Sequence, residues 1–222
     1  MASRSSHARQ SAPPSLPAAS DLEAILRPHL TGPAPAELFL HLAIYLQVLY
    51  MWNARMNVTA VRDPDELVRL HLAECLMAAE SLRSGAVTVL DYGSGAGLPG
   101  IPAAALLPEV HFTLAESQGK KAAFLREAIR QMQLKNAGVW AARVEDMPAS
   151  QRYDAVMLRA VDRMEPALRQ AACRMKPGGQ CIVLTSEAQQ AEIRQILPGL
   201  TWTTRAVPQS RQRIILLGVA LR

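Results

Sequence analysis

Cysteine is scarce in this chain. Its 222 residues include three, Cys75, Cys173 and Cys181, with no CxxC spacing and no histidine pair nearby. That pattern excludes a zinc site of ordinary ligand spacing and a disulfide framework, and no metal is expected. The three cysteines read as small core residues in a reducing cytoplasm. Long apolar runs are also missing. The nearest is Leu38 to Trp52, interrupted by His41 and Gln47 and shorter than the ~20 residues a bilayer span needs. The face opposite its apolar stripe lacks Lys and Arg, which argues against membrane-surface binding. No secretory signal is expected, because the N-terminus carries no apolar h-region. Lysine is rare: of 24 basic residues only Lys120, Lys121, Lys135 and Lys176 are lysines, and the rest are arginine. Arginine suits bidentate phosphate contacts and stacking on bases. A GC-rich genome raises arginine and alanine in the same way, so the formal net charge of +5 leaves both readings open.

What remains is an ordinary globular composition, 50% hydrophobic and 19% charged, enough for one domain with a sizeable core. Residues 1–20 are rich in Ser, Pro and Ala with no acid. They read as a disordered tail, and their composition also matches an organellar transit peptide. Residues 21–84 read as a helical extension. Its long second helix carries Leu38, Leu42, Tyr45, Leu49 and Trp52 on one stripe, with apolar residues on the other faces too, which predicts burial. A third helix is expected from about Asp65 to Leu82. From residue 85 to 222, strands alternate with helices, with a closing strand pair at the end. That order predicts an α/β core with a mostly parallel sheet and one antiparallel strand. A monomer is expected.

The most informative stretch is VLDYGSGAGLPGIP, Val89 to Pro102. A buried strand ends on Asp91, and Gly93, Gly95, Gly97 and Gly100 follow. Glycines at the carboxyl end of a parallel strand let the chain turn tightly and let a ligand approach the backbone. Pro99 suits the first turn of the next helix. Gly95 to Gly100 spells GxGxxG, and Glu116 ends the second strand, where a ribose-binding acid belongs. Two features oppose a nicotinamide or flavin site. Asp91 puts negative charge where a pyrophosphate would approach, and Lys176-Pro-Gly-Gly179 precedes the fifth strand without a role in such folds. No GK[ST] follows the glycines, so a P-loop is excluded. S-adenosylmethionine fits better. Asp91 can act on its amino-acid end, directly by charge or through water. Glu116 can accept both ribose hydroxyls, and a residue within Arg143 to Met147 can meet the adenine edge.

Taken together, WNARMNVTAVRDPDELVRLHLAE (from Trp52), DYGSGAGLPGIP, RVEDM and YDAVMLRA resemble the bacterial 16S rRNA (guanine-N7)-methyltransferase G family, also called the glucose-inhibited division protein B family. The resemblance spans roughly residues 35–185. It implies the class I S-adenosylmethionine-dependent methyltransferase fold, Rossmann-like with a seven-stranded sheet. It implies cofactor contacts at Gly93, Leu98, Glu116, Val144, Glu145 and Arg159, alongside Asp91 and Gly95 from the loop reading. Asn57, Thr59, Arg62 and His71 match family positions that line the substrate side or brace the loop. The implied partner is 16S rRNA or the small ribosomal subunit, with Arg55, Arg62, Arg126, Arg159 and Arg163 as candidates for backbone contact. The chain departs from the family pattern at Tyr92, at Leu158, and at Thr185-Ser186 where Lys-Gly is usual. The last two departures are expected on the rim where RNA enters.

The implied chemistry suits the absence of any Ser/His/Asp or Cys/His pair. Guanine N7 has a lone pair in the base plane and attacks a sulfonium methyl without losing a proton, so no general base is required. Alternatives from other classes are a methyltransferase of the same fold acting on a small molecule or protein, and a non-catalytic RNA- or nucleotide-binding relative. A continuous basic rim near Arg62, Arg159 and Thr185 would favour RNA, and a closed apolar pocket a small substrate.

Overall fold

The structure, a computed structural model, describes residues 15–160, 163–208, 210 and 212–220. Residues 1–14, most of the expected tail, lie outside them. The first helix, α1 (Ala19–Leu26), takes in the last two residues of that expected tail, which runs to residue 20. The Asp21 carboxylate accepts the Ala18 amide at 2.9 Å, satisfying one orphan donor and placing an acid in the first turn. Leu16 packs against the core just before it.

Helix α2 (Leu38–Asn53) buries most of its circumference. Leu38, Leu42, Tyr45, Leu46 and Leu49 are fully enclosed, as the absence of a polar face requires. Tyr45 and Trp52 pack on Phe124, with ring centroids 6.5 and 6.0 Å away. The expected third helix is continuous but irregular. A single α-turn, α3 (Pro64–Glu66), passes into a π-helical stretch at Leu67–Leu72 and then into α4 (Ala73–Glu80). Asp63 caps it, its side chain accepting the Asp65 amide. Short π-helical stretches cluster at functional sites, and this one contains His71.

The core strands are β1 (Thr88–Tyr92), β2 (His111–Ala115), β3 (Ala137–Trp140), β4 (Tyr153–Arg159), β5 (Met175–Ser186), β6 (Leu200–Ala206) and β7 (Arg213–Ala220). They form one seven-stranded sheet in the order β3-β2-β1-β4-β5-β7-β6. β7 runs antiparallel to both of its neighbours, β5 and β6, as the closing strand pair predicts. Helices α5 (Gly100–Leu106), α6 (Gly119–Gln131), α7 (Met164–Arg174) and α8 (Gln190–Ile196) connect the strands. One apolar cluster joins α1, α2 and α4 to Val89, Phe112 and Ile182. The N-terminal helices therefore share a core with one face of the sheet. A second cluster covers the other face with Leu158, Leu168 and Val183.

Three local expectations need correction. Lys176-Pro-Gly-Gly179 is not a turn before β5 but a bulge within it: Tyr153 faces Met175, and Ala155 faces Gln180. A Cβ on Gly179 would lie 2.8 Å from the Lys176 carbonyl, so glycine lets the bulge fold on itself. Pro99 precedes α5 as its N-cap rather than opening its first turn. Cys173 is exposed, whereas Cys75 and Cys181 are buried. Among the described residues, no helix is long and apolar enough to cross a membrane, and no cluster of metal-ligating side chains is found.

Candidate functional site

The loop after β1 is built around Asp91, which is 1% exposed. Its Oδ2 accepts the Gly100 amide at 3.1 Å, tying the end of the strand to the start of α5. A Cβ on Gly100 would lie 2.5 Å from that oxygen, so only glycine permits the contact. The Ser94 amide donates to the Ala115 carbonyl at 2.9 Å, which fixes the loop to β2. Its hydroxyl donates to the Asp91 carbonyl at 3.1 Å. From the other side the Tyr45 hydroxyl donates to the Ala96 carbonyl at 2.7 Å. The N-terminal extension thus braces the loop directly.

Burial pushes the Asp91 carboxyl up to about 7, against the pull of Ser94, Gly100 and Arg159 and with a push from Glu116. Its Oδ1 is buried, with no donor among the described residues. An acceptor left without a partner in a low-dielectric setting is costly, and a cationic or hydrogen-bonding ligand would relieve it.

Glu116 is 6% exposed. Its Oε2 accepts the Gly95 amide at 3.0 Å and its Oε1 the Gln118 amide at 2.7 Å. A carboxylate has about four lone-pair sites, so each oxygen can accept another donor. Glu116 divides two clefts. The first, of about 420 Å³, lies between the glycine loop and Thr59, Lys121 and Arg159. The second, of about 260 Å³, runs between Tyr92, Val144, Glu145 and Arg163. Both include Gly93 and Ser117, so they form one trough across the carboxyl ends of the strands. Its shape suits a long molecule with a polar amino-acid end, a central diol and a flat base.

The structure brings Gly93, Gly95, Leu98, Glu116, Arg159 and Thr59 together in the first cleft, and Gly93, Val144 and Glu145 in the second. Asp91 lies beneath them. Asn57 and Arg62 stay outside, both exposed, joined by a hydrogen bond of 2.7 Å. His71 is buried behind Arg159, whose Nη2 reaches its Nδ1 at 2.6 Å. Arg55 and Arg126 are exposed.

The rim expectation needs correction. Leu158 is fully buried in the second cluster, because strand alternation turns it to the face opposite Arg159. Thr185 is 7% exposed, and its hydroxyl donates to Gln189 Oε1 at 2.8 Å. Of these departures only Ser186 is half-exposed, at the end of β5. Tyr92 reaches across the second cleft to Glu145 Oε1, 3.2 Å away.

Several residues of the site carry no sequence signal of their own. Asn53, at the end of α2, accepts the Val58 and Thr59 amides at 2.9 and 3.1 Å, and so shapes the segment that carries Thr59. Ala160, at φ +47°, turns the chain away after Arg159. Arg159 and Arg213 meet at Glu74, and nothing in their spacing announces it. The lysine at position 121 has a weak signal, since it closes the first turn of the helix after Glu116.

The family model for rRNA small subunit methyltransferase G matches residues 40–206. A ribosomal RNA small subunit methyltransferase G from Stenotrophomonas maltophilia (strain K279a) is 39% identical over 163 residues, covering 73% of this chain and 75% of that protein. One from Xanthomonas campestris pv. campestris (strain B100) is 40% identical over 155 residues, covering 70% and 72%. Among solved structures, an S-adenosylmethionine-dependent methyltransferase from Aquifex aeolicus superposes with a TM-score of 0.58 at 16% identity, covering 72% of this chain and 94% of that one. M. jannaschii TYW2, solved in complex with AdoMet, gives 0.56 at 16% identity, covering 67% and 74%. These likenesses identify the sheet as the class I methyltransferase fold. With the family model and the relatives agreeing over most of its length, this chain belongs to the rRNA small subunit methyltransferase G family.

Proposed function

We propose that this chain transfers the methyl group of S-adenosylmethionine to N7 of a guanine in 16S rRNA, acting as a monomer in the cytoplasm. The observation that carries the reading is the trough that joins the glycine loop, with Asp91 buried beneath it, and Glu116 on one side to Arg159 on the other. S-adenosylmethionine, when bound, supplies an electrophilic methyl on a sulfonium. Gly93, Gly95 and Leu98 would hold its amino-acid half over the buried Asp91 charge. The remaining lone pairs of Glu116 would accept the ribose hydroxyls, and Val144 and Glu145 would meet the adenine edge. The unpartnered Asp91 Oδ1 fits a cationic ligand and opposes a pyrophosphate.

The base needs no proton removed, so the protein's task is alignment. Holding two reacting groups in line removes much of the entropic part of a barrier. The trough is open, and exposed Arg163 and half-exposed Lys121 line it, which fits a large polyanion better than a small molecule. In an A-form helix the deep major groove hides the N7 edge, so an opened or single-stranded segment is the expected target. Residues 21–84 act as an extension that stiffens the 85–222 core, through Tyr45 above all. The monomer reading is supported by α2, whose apolar residues are mostly consumed by the chain's own core.

The test is methyl transfer from radiolabelled S-adenosylmethionine into small ribosomal subunits from a strain lacking its own copy of the enzyme. Label recovered as 7-methylguanosine in 16S rRNA supports the reading. Cofactor binding with no label in RNA would sink it.

A further inference from the structure

Glu74 lies under two guanidinium groups and is 1% exposed. Arg159 Nε donates to its Oε1 at 2.8 Å. Arg213 Nη2 donates to the same oxygen at 2.6 Å, and its Nε donates to Oε2. Arg159 Nη2 also meets His71 Nδ1 at 2.6 Å. A guanidinium has no acceptor atom, so it is the donor in this contact, and the same Nδ1 lies 3.5 Å from Glu74 Oε1. The cluster therefore holds two fixed cations over one full anion. Arg159 also pulls on Asp91, whose carboxyl burial pushes up to about 7, so that it is partly protonated near neutral pH.

Side-chain exposure is 14% for Arg159 and 29% for Arg213. Taking two cations this far out of water costs several kcal/mol unless anions offset them, and Glu74 offsets only one. The surplus charge lies at a particular place. Arg159 ends β4, and the antiparallel β7 begins at the same edge with Arg213. Ser186, the last residue of β5, stands directly across the ladder from Arg213. In the strand order, the acids and turns that suit the cofactor lie over β1, β2 and β3, whereas β5 and β7 lie beyond β4 on the opposite side. Arg213 spends its Nε–Nη2 edge on Glu74. The Nη1 side of the fork keeps donors in the planar geometry that matches a phosphate.

We propose that Arg213, across the β5–β7 ladder from Ser186, forms a phosphate subsite for the RNA strand that carries the target guanine. Glu74 holds Arg213 to this task and Arg159 to the cofactor side. The inference rests on the rRNA methyl-transfer reading and names a contact that reading leaves open.

The test compares the wild-type protein with Arg213→Gln and Arg213→Lys. Three quantities are measured: the S-adenosylmethionine Kd by calorimetry, the KM for small ribosomal subunits, and the slope of log(kcat/KM) against log salt. Arg213→Gln leaves Glu74 paired with Arg159. It is expected to keep the cofactor Kd within about twofold and to raise the subunit KM about tenfold, the loss of one charged contact. The salt slope should fall by about 0.7 to 1, the loss of one phosphate contact. Arg213→Lys is expected to restore the slope while KM stays several-fold high, because the fork is gone. It carries the test if the glutamine variant fails to fold. Unchanged KM and slope, or a loss of cofactor affinity that accounts for the whole effect, overturns the subsite. If the wild-type protein puts no label into RNA, the functional reading fails and the inference falls with it.

Discussion

Asp91 and Gly100 are joined by a hydrogen bond of 3.1 Å that leaves no room for a side chain on the glycine. The bond holds the loop in place by linking the end of β1 to the first turn of α5. Gly100→Ala would place a Cβ 2.5 Å from the carboxylate oxygen and 2.9 Å from the Asp91 Cβ, which the strand backbone fixes in place. The expected cost is about 1–3 kcal/mol, typical of overpacking a tight site, or a fall in Tm of several degrees for a chain of this size. Weaker S-adenosylmethionine binding should accompany it. Gly119→Ala is the control, since a Cβ there meets nothing within 4 Å. Equal melting temperatures for the two variants would show that the Asp91 contact does not shape the loop.

The same carboxyl predicts opposite pH trends for stability and for binding. In the folded protein Asp91 is raised from 3.8 to about 7 by burial, so between those values the native state holds a proton that the unfolded chain has lost. Stability from this group is therefore full below about pH 4 and declines as pH rises to about 7. A cationic ligand favours the ionised form, so S-adenosylmethionine affinity should rise about fivefold from pH 6 to pH 7. Ser94, Gly100 and Arg159 favour that ionisation and Glu116 opposes it. Asp91→Asn should flatten both trends. Calorimetric titration across this range checks the second, and an affinity that does not vary with pH would separate Asp91 from the cofactor.

Glu116→Gln tests the ribose assignment. The amide keeps one oxygen for either the Gly95 or the Gln118 amide but loses the second acceptor. Hydrogen bonds to a charged group contribute about 1.5–3 kcal/mol each. The variant should therefore bind S-adenosylmethionine about 10- to 100-fold more weakly, with a circular dichroism spectrum like that of the wild type. A wild-type Kd would remove Glu116 from the site.

Much of this site is legible in the sequence because its parts are local. Asp91, Gly93, Gly95 and Leu98 lie in one loop, and Glu116 and Glu145 follow strands at a regular spacing that strand–helix alternation makes readable. The bulge in β5 is not legible, because Lys176-Pro-Gly-Gly179 has turn chemistry whether it precedes a strand or interrupts one. Leu158 is misplaced on the rim for a physical reason: neighbouring strand residues point to opposite faces, so its position beside Arg159 in sequence puts it away from Arg159 in space. The Glu74 cluster is least legible. Its arginines lie 85 and 139 residues away along the chain, and α4 carries so many apolar neighbours that Glu74 reads as an ordinary helical acid. The sheet order alone brings the three together.

That cluster makes a last prediction, about the fold rather than the chemistry. Burial raises the Glu74 carboxyl, and His71, Arg159 and Arg213 together more than reverse this, leaving it below its usual value. Its stabilising contribution is therefore present at neutral pH and is lost as pH falls through the lowered value, the reverse of the Asp91 trend. Glu74→Gln should be costlier than the loss of a surface pair, because it leaves two arginines facing each other without an anion. Removing one partner of a buried pair typically costs about 3–5 kcal/mol. Urea unfolding at pH 7.5 should show a midpoint lowered accordingly with a similar m-value. At pH 4 the gap between wild type and variant should narrow, because the unfolded wild-type chain has then begun to take up a proton that the folded carboxylate, held below its usual value, resists. A gap of the same size at both pH values would mean that the two arginines are stabilised by something other than the charge on Glu74.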